Sequence, residues 1–180
     1  LPSFMGHREG AKSAEKVFET ALNLGIKNLS FWGASINNVT KRSAEEIAFL
    51  STLFEEQFTK LMNDPIIVKN KVRIRVLGAW KKYFPASLSA VIEEMQSKTM
   101  AFSERNLTFL LAYNGTEEME SAIRAIVASG EKNIDESTIK KHLYTHDLPL
   151  VDLVIRTGED GGPHNSAGFM MWDTDRKSTR

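Results

Sequence analysis

The alternation of short apolar runs with amphipathic helical stretches is the feature that most constrains this chain. Apolar positions recur at helical spacing over residues 11–23 and 43–62, and again in segments that open near Pro85 and Glu117. Between them lie short runs that predict strands, at residues 28–33, 71–77, 107–112, 151–155 and 169–172. Strands that alternate with helices favour a parallel sheet. We therefore predict an α/β fold with an open, mostly parallel sheet that has helices on both faces.

Two local patterns make finer predictions about this fold. In residues 71–77 cations alternate with aliphatic residues, which predicts a strand whose Lys71, Arg73 and Arg75 side chains face water. Ser43, followed three positions later by a glutamate, predicts a capping box at the start of the second long helix.

The composition excludes several classes of function. The 23 Lys and Arg residues balance 23 Asp and Glu residues, which argues against nucleic-acid binding through overall charge. The absence of cysteine excludes disulfides, Cys-ligated zinc, iron–sulfur clusters and thiol catalysis. The 180 residues fit a single domain over residues 1–180. The sequence contains neither a membrane-length apolar run nor a signal-peptide pattern, so we expect a cytoplasmic protein with at most peripheral membrane contact.

The loops that follow the predicted strands hold the candidate chemistry, because ligands of open α/β sheets bind beyond the carboxyl ends of the strands. Residues 33–42 offer a serine, two asparagines and two cations before a helix, a set that can bind an anion, although a solvated capping loop explains it better. Arg156 directly follows the predicted strand 151–155 and precedes a loop with four glycines. A phosphate partner for Arg156 is slightly favoured over pairing with Asp152 or Glu159.

Two further features stay open on the residues alone. His7 lies between two glycines at a helix start, where a phosphate contact is possible but a structural role is more common. The aromatic face of helix 43–62, with Phe54 and Phe58, could line an apolar channel together with Met95. Periodicity favours the simpler interpretation, in which these side chains fill the core.

Four segments, in order and with fitting spacing, resemble motifs of the cis-prenyltransferase family, the undecaprenyl and dehydrodolichyl diphosphate synthases. The segments are Gly6-His7-x-x-Gly10, residues 32–42 from Trp32-Gly33 to Arg42, residues 112–119 with Tyr113-Asn114-Gly115, and Asp152–Gly158 followed by Phe169–Trp172. The last segment is the most specific. Its family form is Asp-Leu-x-Ile-Arg-Thr-Gly-Gly-Glu, followed by Phe-Leu-Leu-Trp.

The resemblance implies prenyl-chain elongation, in which isopentenyl diphosphate condenses with an allylic prenyl diphosphate to give a Z-prenyl diphosphate. It implies that His7, Ser35 and Arg42 hold the allylic substrate, with Lys41 as the alternative equivalent of Arg42. It also implies that Asn38 acts near the reacting centre, where it assists proton removal or orientation.

The second substrate and the cofactor follow from the same resemblance. Arg156 and Ser166 are expected to hold the diphosphate of isopentenyl diphosphate. The reaction is expected to need Mg²⁺, and the protein is expected to be a homodimer that does not bind nucleic acid.

The chain also departs from the family pattern. The family's first strand, with its acidic Met-Asp-Gly-Asn-x-Arg motif, would precede Leu1, so we expect that strand and part of the C-terminal region to be missing, and no metal ligand is assigned. Asn37, Val39 and Thr116 stand where the family has Glu, Trp and Arg. These departures keep a second function open, that of a non-catalytic accessory subunit of a cis-prenyltransferase complex. An unrelated phosphate-binding enzyme is disfavoured by the four ordered motifs.

Overall fold

The computed structural model describes residues 3–156 and 166–174, which belong to two compact units, Leu1–Ala112 and Tyr113–Arg180. The described elements of the first unit are α1 (Ser3–Asn23), β1 (Asn28–Ala34), α2 (Ile36–Lys41), α3 (Ala44–Met62), α4 (Pro65–Lys69), β2 (Val72–Leu77), α5 (Trp80–Tyr83), α6 (Ala86–Thr99) and β3 (Arg105–Leu111). Those of the second unit are α7 (Gly115–Ser129), α8 (Glu136–His142), a 3-10 helix (Ser166–Gly168) and α9 (Met171–Thr174).

The described strands form a parallel sheet in the order β1-β3-β2, which confirms the predicted α/β class. The register places Leu107 of β3 between Leu29 of β1 and Ile74 of β2. On the next row Thr108 lies between Ser30 and Arg75. Because successive side chains of a strand point to opposite faces, one face of this sheet carries an apolar row and the other a polar row.

The core of the first unit lies where α3 and α6 pack against each other and α6 packs against β2. Leu88, Ile92 and Met95 of α6 are fully buried there. The ring of Phe58 on α3 lies 5.1 Å from the ring of Phe109 on β3, in an edge-to-face contact. The interpretation that these side chains fill the core is therefore confirmed at Phe58 of α3 and at Met95 of α6.

Two predicted strands are wrong. Residues 151–155 are described throughout and none of them belongs to a strand, and 66% of Leu153 and 77% of Ile155 is exposed. Residues 169–172 form a turn and the start of α9. A short apolar run forms a strand only where a neighbouring strand pairs with its backbone. Hydrophobic periodicity does not show whether such a neighbour is present. The Val151 N–H donates instead to the carbonyl of Asp173 at 3.0 Å.

Two local predictions in the first unit also need correction. Arg75 does not face water, since only 8% of it is exposed, whereas Arg73 is half-buried. Parallel sheets are usually covered on both faces, so alternating charge along β2 is a poor indicator of a wet face. The polar loop predicted from Ser35 to Lys41 is instead the helix α2, because a local cap stabilises it.

Candidate functional site

The carboxyl end of β1 is shaped by a bulge at Gly33. The pairing of β1 with β3 shifts register between Trp32 and Ala34. A Cβ atom on Gly33 would lie 2.5 Å from Cδ2 of Leu111, a fully buried side chain. Only glycine fits this approach, and the bulge leads the chain directly to Ser35.

Ser35 and Asn38 are brought together as the cap of α2. The Ser35 hydroxyl accepts from the Asn38 N–H at 3.0 Å, and the Ser35 N–H donates to Oδ1 of Asn38 at 3.1 Å. The atom that faces the Ser35 N–H must be the amide oxygen, because the NH₂ group of Asn38 cannot accept. The NH₂ group is the other polar part of this exposed side chain, which suits Asn38 to donate a hydrogen bond and not to take up a proton.

His7 and Arg42, which are 35 residues apart in the sequence, meet beside Glu46. Nε2 of His7 lies 3.0 Å from Oε1 of Glu46, and Nη1 of Arg42 lies 3.4 Å from the same carboxylate oxygen. Nη1 of Arg42 also lies 3.4 Å from Nε2 of His7. His7 belongs to α1, Arg42 caps the end of α2, and Glu46 lies in the first turn of α3.

The proton on His7 is fixed by its acidic neighbour. A carboxylate can only accept, so the short contact to Glu46 requires a proton on Nε2 of His7. Nε2 then cannot accept from Arg42, and the guanidinium at 3.4 Å is directed to the Glu46 carboxylate. Glu46 thereby orients both side chains, and about one quarter or less of the side chain of His7 and of Glu46 is exposed, at 23% and 21%.

Glu46 is the residue of this cluster that the sequence interpretation missed. One of the two hydrogen bonds of the predicted capping box forms, from the Glu46 N–H to the Ser43 hydroxyl at 3.2 Å. The Glu46 carboxylate faces His7 and Arg42 instead of the Ser43 backbone. The available signal was the opposite charge of Arg42 and Glu46 only four residues apart, although Arg42 lies before the start of α3 and does not share a helix with Glu46. The carboxylate offsets the charge of Arg42, so an anionic ligand of Arg42 competes with Glu46.

An aromatic side chain borders the cluster. The Phe49 ring lies 6.5 Å from the His7 ring, and the guanidinium carbon of Arg8 lies 5.6 Å from the Phe49 ring centroid. Arg8 is exposed, as is Lys41 in the last turn of α2. Two further cations thus lie close in sequence to His7 and Arg42.

The other predicted ligands belong to the second unit. Arg156 is exposed, and because residues 151–155 form no strand it does not follow a buried strand as predicted. The backbone of Ser166 opens the 3-10 helix, but its side chain lies outside the described residues, as does Glu159.

The segment 112–119 builds the interior of the second unit. The Tyr113 hydroxyl donates to Oε2 of Glu118 at 2.5 Å and accepts from the Met170 N–H at 3.1 Å. Oε1 of Glu118 accepts from the Thr145 N–H at 3.0 Å. Burial, reinforced by the Glu118 charge, raises the pKa of Tyr113 well above its ordinary value, so this phenol stays protonated. The Tyr113–Glu118 pair therefore holds three chain segments together.

Gly115, between these two residues, allows a close approach of the backbone. A Cβ atom there would lie 1.9 Å from the carbonyl oxygen of Gly168. Gly115 is the first residue of α7, and Asn114 is its N-cap. This glycine is thus explained by packing against the 3-10 helix.

The described residues bring no cluster of metal-ligating side chains together. Within residues 3–156 and 166–174, no group of three or more His, Cys, Asp or Glu side chains could hold a metal ion. Glu46, the carboxylate of the His7–Arg42 cluster, already has two partners.

Among residues 3–156 and 166–174, no helix has both the length and the apolar character needed to cross a membrane.

The sequence model of one protein family, described as "Putative undecaprenyl diphosphate synthase", matches residues 1–179. A tritrans,polycis-undecaprenyl-diphosphate synthase (geranylgeranyl-diphosphate specific) from Thermococcus kodakarensis is 37% identical over 177 residues, which cover 95% of this chain and 65% of that protein. An isoprenyl transferase from Deinococcus radiodurans is 31% identical over 180 residues, covering 94% of this chain and 64% of that protein. The chain thus spans somewhat less than two thirds of the length of these relatives.

Solved structures show the same fold. Lavandulyl diphosphate synthase from Lavandula x intermedia, in complex with dimethylallyl diphosphate, matches with a TM-score of 0.71 and 26% identity, covering 81% of this chain and 63% of that one. A probable undecaprenyl diphosphate synthase from Campylobacter jejuni matches with a TM-score of 0.77 and 22% identity, covering 92% of this chain and 76% of that one. The second likeness concerns the fold alone.

Proposed function

Since this chain belongs to the undecaprenyl diphosphate synthase family, we propose that it elongates an allylic prenyl diphosphate with isopentenyl diphosphate. A carbon–carbon bond forms between the allylic carbon and the terminal alkene carbon of isopentenyl diphosphate. The allylic carbon–oxygen bond breaks and diphosphate leaves. A proton is lost from C2 of the isopentenyl unit, which gives a Z double bond and a product longer by one isoprene unit.

The observation that carries this proposal is the convergence of His7 and Arg42 at one cluster. Their motifs are 35 residues apart in sequence, and each resembles a family motif associated with the allylic substrate. Arg42 presents a guanidinium fork that suits a diphosphate, and the Nε2 proton of His7 is a second donor. When a diphosphate binds, both donors exchange the Glu46 carboxylate for phosphate oxygens.

The remaining roles come from the resemblance. We assign Arg156 and Ser166 to the diphosphate of isopentenyl diphosphate, and Asn38 to the orientation of a substrate near the reacting carbons. The amide oxygen of Asn38 already accepts from the Ser35 N–H in the α2 cap, which leaves the NH₂ group to face a substrate. An NH₂ group donates a hydrogen bond and cannot accept a proton, so Asn38 suits orientation better than proton removal. Arg156→Gln should therefore raise the KM for isopentenyl diphosphate more than Asn38→Ala does, since a charge-assisted hydrogen bond is stronger than a neutral one. Arg124→Gln, at an exposed arginine on α7, is the matched control.

We retain Mg²⁺ in the proposal as an ion that enters with the substrates. Magnesium sites of this chemical class use one or two carboxylates together with substrate phosphates. The described residues bring no three such side chains together, and no step is assigned to the ion.

The test is a product assay with labelled isopentenyl diphosphate, Mg²⁺ and allylic diphosphates of increasing length. Geranylgeranyl diphosphate is the first starter to try, because the names of several relatives specify it. We expect lipid products whose masses increase by whole isoprene units and whose new double bonds are Z. A protein that binds diphosphate but forms no product with any starter contradicts the proposal.

A second candidate is a non-catalytic accessory subunit, which the neutralisation of Arg42 by Glu46 favours. Such a subunit would leave product formation to a different chain and would raise the activity of that chain when mixed with it. The catalytic proposal expects product from the full-length protein without a second kind of chain. We also propose that the active form is a homodimer, which sedimentation equilibrium measures directly.

A further inference from the structure

The amino-terminal ends of the three described strands share a feature that the proposed reaction does not use. Lys27 directly precedes β1, Lys71 directly precedes β2, and Arg105 is the first residue of β3. Since the strands are parallel and β3 lies between the other two, these cations form a row along one edge of the sheet. Neighbouring strands are about 4.8 Å apart, so the row is about 10 Å long.

This row lines an open cavity of about 380 Å³. The lining residues are Gly25, Lys27, Lys69, Asn70, Lys71, Glu104 and Arg105. They include four cations and one carboxylate, and that carboxylate, on Glu104, is 3.9 Å from Nζ of Lys71 in a loose and exposed pair. We name Lys27, Lys69, Lys71 and Arg105 the basic rim. The basic rim keeps a local positive excess in a chain whose formal net charge is zero.

Large apolar side chains stand beside the basic rim in the sequence and are exposed. Leu24 is 71% exposed, Ile26 44% and Val68 62%. Leu24 and Ile26 flank Gly25, and Val68 precedes Lys69, so each is adjacent to a residue that lines the cavity.

The turn that presents Leu24 and Ile26 is fixed by its backbone. Gly25 adopts a φ of 76°, and its N–H donates to the carbonyl of Leu22 while the Ile26 N–H donates to the carbonyl of Ala21. This pair of bonds is a Schellman motif, which requires a left-handed residue after the helix. The backbone of the turn that carries both side chains is therefore fixed at the end of α1.

We propose that this surface docks on a bilayer that contains anionic lipids. The basic rim would pair with headgroup phosphates, while Leu24, Ile26 and Val68 enter the interfacial region. Ordinary solvation explains cations at strand ends, and the α4 dipole explains Lys69. What points to a lipid surface is the combination of these cations with three exposed aliphatic side chains next to them in the sequence. Positive charge and apolar area together match an anionic membrane surface.

The surface is separate from the proposed substrate site. It lies at the amino-terminal edge of the sheet, whereas Ser35 follows the carboxyl end of β1 and the His7–Arg42 cluster comes from α1, α2 and α3. No residue of the basic rim belongs to that cluster. Membrane docking can therefore succeed or fail independently of catalysis.

The test is co-sedimentation of the purified chain with vesicles of phosphatidylcholine, with and without phosphatidylglycerol. We expect binding to the anionic vesicles only, with loss at high salt. The double variant Lys27→Gln/Lys69→Gln should weaken partitioning about 25-fold, since each cation near such a surface contributes about fivefold. The control Lys81→Gln/Lys82→Gln makes the same change in charge on α5, after the carboxyl end of β2, and should change partitioning less than about twofold.

A second pair of variants tests the apolar part. Leu24→Ser/Val68→Ser should weaken partitioning about tenfold, as expected from the loss of buried aliphatic area. Val17→Ser, at a 49% exposed valine within α1, is the control and should leave partitioning unchanged. Equal binding to neutral and anionic vesicles, or equal losses in the rim and control variants, would overturn the proposal. Binding of soluble inorganic phosphate without vesicle binding would overturn it as well.

Discussion

Gly10 and Gly33 show how differently two glycines constrain a chain. A Cβ atom on Gly10, within α1, would meet nothing within 4 Å, whereas one on Gly33 would clash with Leu111. Gly10→Ala should therefore raise the free energy of unfolding by about 0.5–1 kcal/mol through better helix propensity. Gly33→Ala should lower it by about 1–3 kcal/mol, because buried Leu111 must move. Urea denaturation of both variants checks this contrast, and a similar change in both would contradict it.

Glu46 sets the electrostatics of the candidate site at the residue scale. Glu46→Gln removes the carboxylate that competes with a bound anion for Arg42. The affinity for pyrophosphate should rise by up to about fivefold, the range expected for a partly exposed ion pair. Glu45→Gln, at the exposed neighbour on α3, should change it less than about twofold. Isothermal titration gives both values, and weaker binding by Glu46→Gln would show that Glu46 helps to hold the anion.

Tyr113 predicts a specific pH dependence of stability. Its pKa is raised in the folded state by burial, so the unfolded chain ionises first, near its ordinary pKa of about 10. The stabilisation from Tyr113 is complete below that pH and is lost as the pH rises toward the folded-state pKa. Tyr113→Phe should cost about 1–3 kcal/mol at neutral pH, because Glu118 and the Met170 N–H lose a partner. The gap between variant and wild type should narrow above about pH 10. A gap that is constant up to about pH 11 would contradict the account.

At the scale of secondary-structure elements, β3 and the segment 151–155 should behave in opposite ways. β3 pairs on both sides, with β1 and β2, so its amide hydrogens should be among the slowest to exchange with solvent. Residues 152–155 have exposed side chains and belong to no strand, so their amides should exchange orders of magnitude faster, whereas the Val151 N–H is bonded to the Asp173 carbonyl. Hydrogen exchange by mass spectrometry separates the two segments. Equally slow exchange in the two segments would contradict the absence of a strand at residues 151–155.

The contrast between elements explains how far the sequence could lead. Alternation and helical periodicity predict β1, β2, β3 and the long helices, because these patterns report which face of an element is buried. The same patterns fail at 151–155, where an apolar run lacks a neighbouring strand, and at α2, whose cap at Ser35 is a local polar interaction. Hydrophobic periodicity contains no information on either.

The candidate site follows a similar division. The resemblance named His7 and Arg42, and the structure brings them within 3.4 Å. Their contact with Glu46 depends on the approach of α1 to α3, a tertiary relation that spacing along the chain does not encode. Glu46 was therefore assigned to a local cap in the sequence analysis, although its side chain orients both proposed ligands of the allylic diphosphate.

In the molecule as a whole, positive and negative residues balance, but the cations are concentrated at particular sites. The net charge of zero predicts little long-range attraction for anions, so binding must come from individual clusters. Within the first unit, Arg42 lies beside a compensating carboxylate and the basic rim holds four cations against one. We propose that the His7–Arg42 cluster binds a diphosphate group and that the basic rim binds a lipid surface.

If the His7–Arg42 cluster binds the allylic diphosphate, the affinity for a substrate analogue must depend on Arg42. The dissociation constant of an unreactive allylic thiodiphosphate would be determined for the wild type, Arg42→Gln and Lys41→Gln. The account predicts at least about tenfold weaker binding for Arg42→Gln, from the loss of charge-assisted hydrogen bonds, and less than about threefold for the exposed Lys41. Equal affinity in Arg42→Gln and the wild type, or a larger loss in Lys41→Gln, would contradict it.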